Sequence, residues 1–167
     1  LYNMTNGAGW TNSWDLNAPV STWYGIDLSL DDCSVTHIDL YNNQLVGTIP
    51  NLILPNLIEL KLNKNQLSGT IPDFDNLPNL MRLILVNNQL SGAIPDFNNL
   101  PNLMWLNLSF NQFSGSIPDF TNLPNLTILD LNTNLLSGSV PDFSNLPNLN
   151  YLIFTYNQLS GNVPDFT

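Results

Sequence analysis

A row of aspartates is the first feature of this sequence that could do chemistry. Asp recurs in the segment PDF, at Asp73, Asp96, Asp119, Asp142 and Asp165. If these carboxylates stack at a strand spacing of ~4.8 Å, they could form a weak cation site, the only metal candidate in the chain. A single carboxylate per unit is a poor match to Ca²⁺, which takes about six to eight oxygen ligands. Each Asp could instead accept backbone N–H groups and cap the following turn, so both interpretations stay open.

The other reactive side chains are too few for a catalytic site. The chain has one His (His37), one Cys (Cys33) and one Glu (Glu59). Catalysis needs a nucleophile or an acid–base pair that converges in a pocket. The sequence contains no GxSxG, HExxH, Gly-rich phosphate loop or cysteine pair. We therefore predict that the chain is not an enzyme and needs no cofactor.

The aspartates recur because most of the chain is one repeated unit. A 23-residue unit begins at Leu54, Leu77, Leu100 and Leu123, and a copy one residue short begins at Leu146. Residues 33–53 carry a degraded copy. The skeleton LxxLxLxxNxL at a fixed period in the twenties is the signature of a leucine-rich repeat, and this sequence fills it six times.

The segment LxxLxL predicts a strand with one buried face, because apolar and variable residues alternate in it. Stacking the units would place its leucines in three interior rows. The rows are Leu57, Leu80, Leu103, Leu126 and Leu149; Leu60, Leu83, Leu106, Leu129 and Leu152; and Leu62, Leu85, Leu108, Leu131 and Phe154. The variable residues then face outward from a parallel sheet, on what we call the concave face.

The rest of each unit predicts a turn and an extended return. An Asn ladder (Asn43, Asn65, Asn88, Asn111, Asn134, Asn157) would satisfy backbone groups where the chain leaves the strand. The Ile/Val column (Ile49 to Val163) and the Phe column (Phe74 to Phe166) should point into the core, while prolines exclude a long helix. We predict a leucine-rich repeat solenoid of about six 22- to 23-residue repeats. Its concave face is a parallel β-sheet, and its convex face consists of turns and short 3₁₀ segments.

The motif LSGxIP resembles the plant-type leucine-rich repeats of extracellular receptor-kinase domains and polygalacturonase-inhibiting proteins. The resemblance covers residue 34 to the C-terminus, although the unit here is one residue shorter than the usual 24. It implies a non-catalytic protein that is extracellular or at the cell surface.

The outward positions of the predicted sheet are the candidate ligand site. Strand alternation directs their side chains away from the core, so large aromatic residues there are not needed for folding. Clustered aromatic residues on a concave surface are typical of binding hot spots for a protein or carbohydrate partner. The candidate ligand-binding residues are Arg82, Trp105, Phe110, Ile128, Tyr151 and Tyr156.

Another regular column, the residue that follows the Gly of each unit, is made of small residues. It runs Thr48, Thr70, Ala93, Ser116, Ser139, Asn162. Flat arrays of small polar residues are found on ice-binding solenoids. Ala93 and Asn162 interrupt this one, and a role in forming the turn explains small residues equally well. Ice binding is therefore a lesser alternative.

Residues 1–33 lack the repeat and hold Trp10, Trp14 and Trp23, which predicts an N-terminal cap over the exposed core. The repeats then occupy residues 34–167. The segment around WYGI resembles the cap of secreted leucine-rich repeat proteins. We expect Cys33 to be a small buried residue, with pairing between molecules as the minor alternative.

Composition excludes several kinds of partner. The net charge is −10 with three basic residues, which argues against nucleic acid. No apolar run approaches the ~18 residues of a membrane span. Three glycosylation sequons start at Asn3, Asn107 and Asn125, a number that chance explains in a chain with 28 Asn.

The sequence thus predicts an extracellular binding or assembly module, and two classes compete. One is a recognition module that uses the concave aromatic residues. The other is a structural protein whose copies stack end to end into a filament or surface layer. The last unit stops at Thr167 without a polar cap. We expect either further sequence or another molecule to cover that end.

Overall fold

A computed structural model describes residues 1–31 and 33–165. The strands form two sheets that run along a solenoid of stacked turns. The seven-stranded sheet contains β1 (Ile26–Leu28), β2 (Val35–Asp39), β4 (Glu59–Lys61), β6 (Arg82–Ile84), β8 (Trp105–Asn107), β10 (Ile128–Asp130) and β12 (Tyr151–Ile153). The six-stranded sheet contains β3 (Val46–Gly47), β5 (Gln66–Gly69), β7 (Gln89–Gly92), β9 (Gln112–Gly115), β11 (Leu135–Gly138) and β13 (Gln158–Leu159).

The seven-stranded sheet is the predicted concave sheet. Strand β1 pairs with β2 antiparallel, and every later pair in this sheet is parallel. The leucine rows are confirmed, because Leu60, Leu83, Leu106 and Leu129 are all fully buried beneath it. In the last unit Leu149, Leu152 and Phe154 are only partly buried.

The six-stranded sheet was not predicted. Its strands come from the segment QLSG and its variants, where one buried apolar residue is followed by Ser and Gly. A single apolar residue leaves no alternation to detect, so the sequence indicated only a turn there. Among the described residues of the repeats, the return segments after this sheet are turns and extended chain, and the 3₁₀ helices lie in the N-terminal region instead.

The convex columns fill the other side of the core. Ile71, Ile94 and Ile117 are each 4% exposed, and Phe74 and Phe120 are completely buried. Val163 differs from the prediction because it is 64% exposed: only one neighbouring repeat packs against the last described turn. Phe166 lies outside the described residues.

The Asn ladder performs the predicted task. The Asn65 carboxamide oxygen accepts hydrogen bonds from the backbone N–H of Asn43 and of Leu45, both at 3.0 Å. Its amide nitrogen donates to the carbonyls of Leu40 and Leu62, both at 2.9 Å. The later ladder residues repeat this bond to the preceding repeat, as buried backbone groups require. Asn43, the first of the ladder, bonds instead to the backbone of Asn12 in the N-terminal region.

The N-terminal region is held together by aromatic contacts. Its described residues form three 3₁₀ helices, Tyr2–Thr5, Gly7–Gly9 and Val20–Thr22. The ring centroids of Trp10 and Trp14 are 4.9 Å apart, and those of Trp14 and Trp23 are 4.7 Å apart. None of the helices in the described residues has the length and apolar character needed to cross a membrane.

The prediction of a buried Cys33 is wrong, because the residue is exposed. Its thiol donates to the Asp31 carbonyl at 3.1 Å in the connection between β1 and β2. Such connections run over the surface, where a side chain has little to pack against.

Candidate functional site

The outward residues of the concave sheet form a row across neighbouring strands. The parallel register places Glu59 beside Arg82, Arg82 beside Trp105, Trp105 beside Ile128, and Ile128 beside Tyr151. Neighbouring strands lie ~4.8 Å apart. Four of the six candidate ligand-binding residues are therefore brought together, from Arg82 to Tyr151.

These four residues differ in exposure. Arg82 is exposed and Tyr151 is 59% exposed, whereas Trp105 and Ile128 are half-buried. The Trp105 indole N–H is enclosed and has no hydrogen-bond partner among the described residues. Trp105 thus lies outside the core but is not fully exposed, because large side chains on strands ~4.8 Å apart pack against one another.

The other two candidates, Phe110 and Tyr156, lie in the turns that follow β8 and β12. Phe110 is 50% exposed and Tyr156 is 81% exposed. Both have left-handed backbone, with φ of 55°. The same column has φ between 50° and 57° at Asn42, Lys64, Asn87 and Thr133. Asn tolerates this conformation, but aromatic and β-branched residues strain it.

The buried Phe column shows what normally offsets such strain. Phe74, Phe97 and Phe120 also have positive φ, from 52° to 55°. Their rings are at most 1% exposed, so burial in the core offsets the backbone cost. The half-exposed Phe110 and the largely exposed Tyr156 obtain much less of this compensation. The sequence offered a hint in the Asn at positions 42 and 87, which is typical of left-handed turns.

The N-terminal half of the concave face is an ion-pair network. Lys61 Nζ lies 2.7 Å from Glu59 Oε1 and 3.6 Å from Asp39 Oδ2, and Arg82 Nη1 lies 2.8 Å from Glu59 Oε2. Glu59 is only 5% exposed, because the two basic side chains cover it. The third basic residue, Lys64, donates to the Tyr41 hydroxyl at 3.0 Å.

Glu59 connects this network to the pH dependence of stability. Burial alone would raise the pKa of Glu59, but hydrogen bonds from Arg82 and Lys61 outweigh it and hold the pKa below 4.5. A depressed carboxyl pKa contributes stability above the unfolded value, and this contribution is lost as pH falls through the folded value.

We expect Glu59→Gln to lower the free energy of unfolding at neutral pH by about 2 kcal/mol, since Arg82 is solvent-exposed and the pair is partly screened. The gap between wild type and variant should shrink as pH falls below 4.5. Urea unfolding of both proteins across this range measures it. Asp96→Asn, which removes an exposed carboxyl, is the control, and a pH-independent gap would contradict the assignment.

Asp130 lies at the centre of the C-terminal half of the face. Its Oδ1 accepts from the Asn132 backbone N–H at 3.0 Å, and its Oδ2 accepts from Asn107 Nδ2 at 3.1 Å. Asn107 is fixed in turn, because its oxygen accepts from the Ser109 backbone and hydroxyl. The carboxylate is therefore held in one orientation before any ligand arrives.

The three sequons have different surroundings. Asn3 and Asn125 are exposed, and Asn125 Nδ2 donates to the Pro101 carbonyl at 2.9 Å. Asn107 is half-buried on the concave face, and a glycan would be attached to the same nitrogen that donates to Asp130. Glycosylation stays a prediction.

The row of aspartates caps turns. Asp119 Oδ1 accepts from the backbone N–H and the hydroxyl of Thr121, and Asp142 Oδ1 does the same with Ser144. Within the residues that the structure covers, no three His, Cys, Asp or Glu side chains cluster as a metal ion would need. The turn-capping interpretation therefore holds for Asp119 and Asp142.

The structure has a groove on the flank of the sheet that the sequence did not predict. One section of about 560 Å³ and another of about 400 Å³ share Met81 and Asn102. Met81 and Met104 are each 39% exposed in it, and Asn102 donates to the Pro78 carbonyl at 3.0 Å. The sequence indicated only a turn for the segment LPN, so nothing pointed to a groove there.

The small-residue row lies beside the six-stranded sheet. All its members, Thr48, Thr70, Ala93, Ser116, Ser139 and Asn162, are exposed. A second row, Ser114, Ser137 and Ser160, is exposed beside it. The predicted array is thus a real surface of the molecule, two columns wide in its C-terminal half.

Comparison with known proteins agrees with the repeat assignment. The leucine-rich repeat family profile matches residues 34–54, 56–77 and 102–123. No curated protein matches the chain by sequence.

Three solved structures show the range of similar proteins. The leucine-rich repeat ectodomain of the receptor kinase SOBIR1 from Arabidopsis thaliana is 34% identical, with 83% of each chain covered and a TM-score of 0.72. The plant peptide hormone receptor RGFR1, in complex with RGF2, is 37% identical over 75% of this chain, with a TM-score of 0.72. A plant ice-binding protein is 31% identical over 98% of this chain, with a TM-score of 0.85.

The chain spans very different shares of these three similar proteins. The chain spans 21% of the RGFR1 chain and 55% of the ice-binding protein, but 83% of the SOBIR1 ectodomain. The motif, the two sheets, the Asn ladder and these similarities agree. The chain belongs to the leucine-rich repeat family, and its repeats are of the type found in plant receptor-kinase ectodomains.

Proposed function

We propose that this chain is a non-catalytic extracellular binding module that takes up a peptide or protein segment on its concave face. The observation that carries the proposal is the pair of exposed aromatic residues, Phe110 and Tyr156, in left-handed backbone. Trp105, Ile128 and Tyr151 lie side by side on β8, β10 and β12, and Phe110 and Tyr156 follow the first and last of these strands.

The left-handed backbone at Phe110 and Tyr156 supports a selected role for their exposed rings. A non-Gly residue with left-handed φ costs roughly 1–2 kcal/mol, and Asn lowers that cost. Asn occupies this position at Asn42 and Asn87, so the fold accepts the cheaper residue. Exposed rings that cost stability are typical of functional sites, where such strain is retained.

Two of the three similar proteins, SOBIR1 and RGFR1, support the same conclusion. The SOBIR1 structure is the ectodomain of a receptor kinase, and RGFR1 is a peptide hormone receptor in complex with RGF2. Similarity to a receptor-kinase ectodomain and to a hormone receptor supports an extracellular or cell-surface location for this chain. A carbohydrate ligand is the alternative partner, because aromatic rings also provide faces on which sugars can stack.

The test uses peptides selected on the wild-type protein from a random peptide library displayed on phage. Their affinity should fall by more than about 1 kcal/mol per residue in the variant Tyr151→Ala/Tyr156→Asn. The free energy of unfolding of Tyr156→Asn should rise by about 1 kcal/mol, because Asn relieves the strain. Calorimetric titration and urea unfolding measure the two quantities.

Thr133→Asn is the matched control. Thr133 lies in the same column with φ of 54°, between Phe110 and Tyr156, but contributes no ring. This variant should gain stability and keep its affinity. Selected peptides that bind the aromatic variant unchanged would contradict the proposal, and binding of soluble glycans in place of peptides would favour the carbohydrate alternative.

Ice binding is the second candidate, favoured by the similarity to the plant ice-binding protein over 98% of this chain. The exposed small-residue row is its surface. We expect the wild type to inhibit ice recrystallisation and Thr70→Lys/Ser116→Lys to lose this effect. The control Asn76→Lys/Asn98→Lys changes exposed convex residues and should retain it. A wild type no better than an inert protein would exclude this candidate.

End-to-end assembly stays a prediction from the sequence. Leu149, Leu152 and Phe154 are partly buried in the last unit. Light scattering tests it, and a monodisperse monomer at high concentration would exclude it.

A further inference from the structure

We propose that the segment bound on the concave face is basic, with its lysine or arginine side chains lying on the aromatic rings of the C-terminal repeats. This inference rests on the proposed function and names the chemical class of its ligand. Four observations lead to it: the distribution of charge, the position of Asp130, the exposed rings and the distance between them.

The charges divide the concave face into two halves. All three basic residues of the chain, Lys61, Lys64 and Arg82, lie in the N-terminal half. Each is already occupied, Lys61 and Arg82 by Glu59 and Lys64 by Tyr41. After Arg82 the sequence contains five Asp and no Lys, Arg or Glu. The aromatic half thus contains no cation of its own to occupy the rings.

Asp130 supplies a fixed negative charge within that half. It follows Ile128 by two positions in β10, so both side chains face outward. Its register neighbours are Asn107 and Ile153, which follow Trp105 and Tyr151 by two positions. Asp130 is therefore diagonal to Trp105 and to Tyr151 in the sheet. The backbone positions of such diagonal residues lie roughly 8 Å apart. A carboxylate has about four acceptor positions, so lone pairs remain for a ligand after the bonds from Asn107 and Asn132.

The exposed rings provide the complementary surface. A cation over an aromatic face within about 6 Å of the centroid is attracted by the ring quadrupole, most strongly by Trp. Tyr151 and Tyr156 present 59% and 81% of their surface to solvent. The net charge of −10 repels an acidic segment and attracts a basic one.

The spacing of the rings favours an extended ligand. Trp105 and Phe110 belong to the repeat of β8, while Tyr151 and Tyr156 belong to that of β12. Two strand spacings, roughly 10 Å, separate these pairs. A ligand that touches both pairs must cross β10, where Asp130 lies between the row of Trp105 and Tyr151 and the row of Phe110 and Tyr156. A short extended peptide can do so.

The experiment compares two capped synthetic peptides on the intact chain, one alternating arginine with glycine and one alternating glutamate with glycine. The basic peptide should bind at least about tenfold more tightly, and its affinity should fall as ionic strength rises. Binding should weaken about threefold or more in Asp130→Asn and about tenfold in Tyr151→Ala/Tyr156→Asn. Calorimetric titration measures all of these.

Asp142→Asn is the matched control, because it removes the same charge from an exposed convex turn. Its affinity should stay within about twofold of wild type, since exposed charges more than a Debye length away are screened. Equal losses in Asp130→Asn and Asp142→Asn, or equal binding of the two peptides, would overturn the inference.

The two proposals can fail separately. If the phage-selected peptides depend on Tyr151 and Tyr156 but show no excess of Lys or Arg, the concave face is the binding site and its ligand is not basic. If the basic peptide binds both the wild type and the aromatic variant equally, its attraction is non-specific, and this inference fails.

Discussion

Replacing Asn111 with Ala is expected to lower the free energy of unfolding by about 3 kcal/mol. The Asn111 oxygen accepts the backbone N–H of Leu90 at 3.0 Å, and the substitution leaves that buried donor without a partner. Its amide nitrogen also donates to the carbonyls of Leu85 and Leu108, at 3.0 and 3.1 Å. An unsatisfied buried polar group costs about 1–3 kcal/mol, and the lost amide bonds add to it.

Asn122→Ala is the control for this prediction. Asn122 also bonds to the preceding repeat, through Asn98 at 2.6 Å, but both residues are exposed. Water can replace that bond, so the change should stay within about 0.5 kcal/mol. Urea unfolding followed by circular dichroism measures both variants. Equal effects would show that the ladder contributes no more than a surface amide.

Much of the fold could be predicted because the same pattern of Leu and Asn positions recurs in every repeat. The leucines of LxxLxL recur in register, so their burial follows from alternation and stacking together. The Asn ladder could be predicted because a turn into the core must satisfy its backbone groups. Both conclusions depend on local pattern alone, and the structure confirms them.

The six-stranded sheet could not be predicted because its strands contain too little pattern. In Gln66–Gly69 only Leu67 is fully buried, and Ser and Gly are equally typical of turns. The pairing that makes this segment a strand comes from the neighbouring repeat, as Ser68 aligns with Gln89. Such pairing is a property of the stack, which a single unit does not encode.

The placement of the candidate site residues could be predicted only in part. The row from Arg82 to Tyr151 follows from the register, which the fixed period sets. The burial of Glu59 could not be predicted, because it depends on where the flexible side chains of Lys61 and Arg82 lie. The strain at Phe110 and Tyr156 could not be predicted, because it is seen only in the backbone φ angles of these residues.

Gly47→Ala is expected to destabilise the N-terminal region by more than about 3 kcal/mol. Gly47 has φ of 118°, and a Cβ there would lie 2.3 Å from the Met4 carbonyl oxygen. That oxygen accepts the backbone N–H of Thr48 at 3.3 Å, so the added carbon would push apart the contact between the first 3₁₀ helix and β3. Backbone cannot yield as a flexible side chain can, so the strain must displace this region.

Gly115→Ala separates steric collision from backbone strain. Gly115 has φ of 84°, but a Cβ there meets nothing within 4 Å. Its cost should be limited to the left-handed conformation, about 1–2 kcal/mol. Near-ultraviolet circular dichroism reports the Trp10, Trp14 and Trp23 cluster, which should lose its signal at lower urea in Gly47→Ala than in Gly115→Ala. If both variants lost that signal at the same urea concentration, the Met4 contact would not hold the N-terminal region in place.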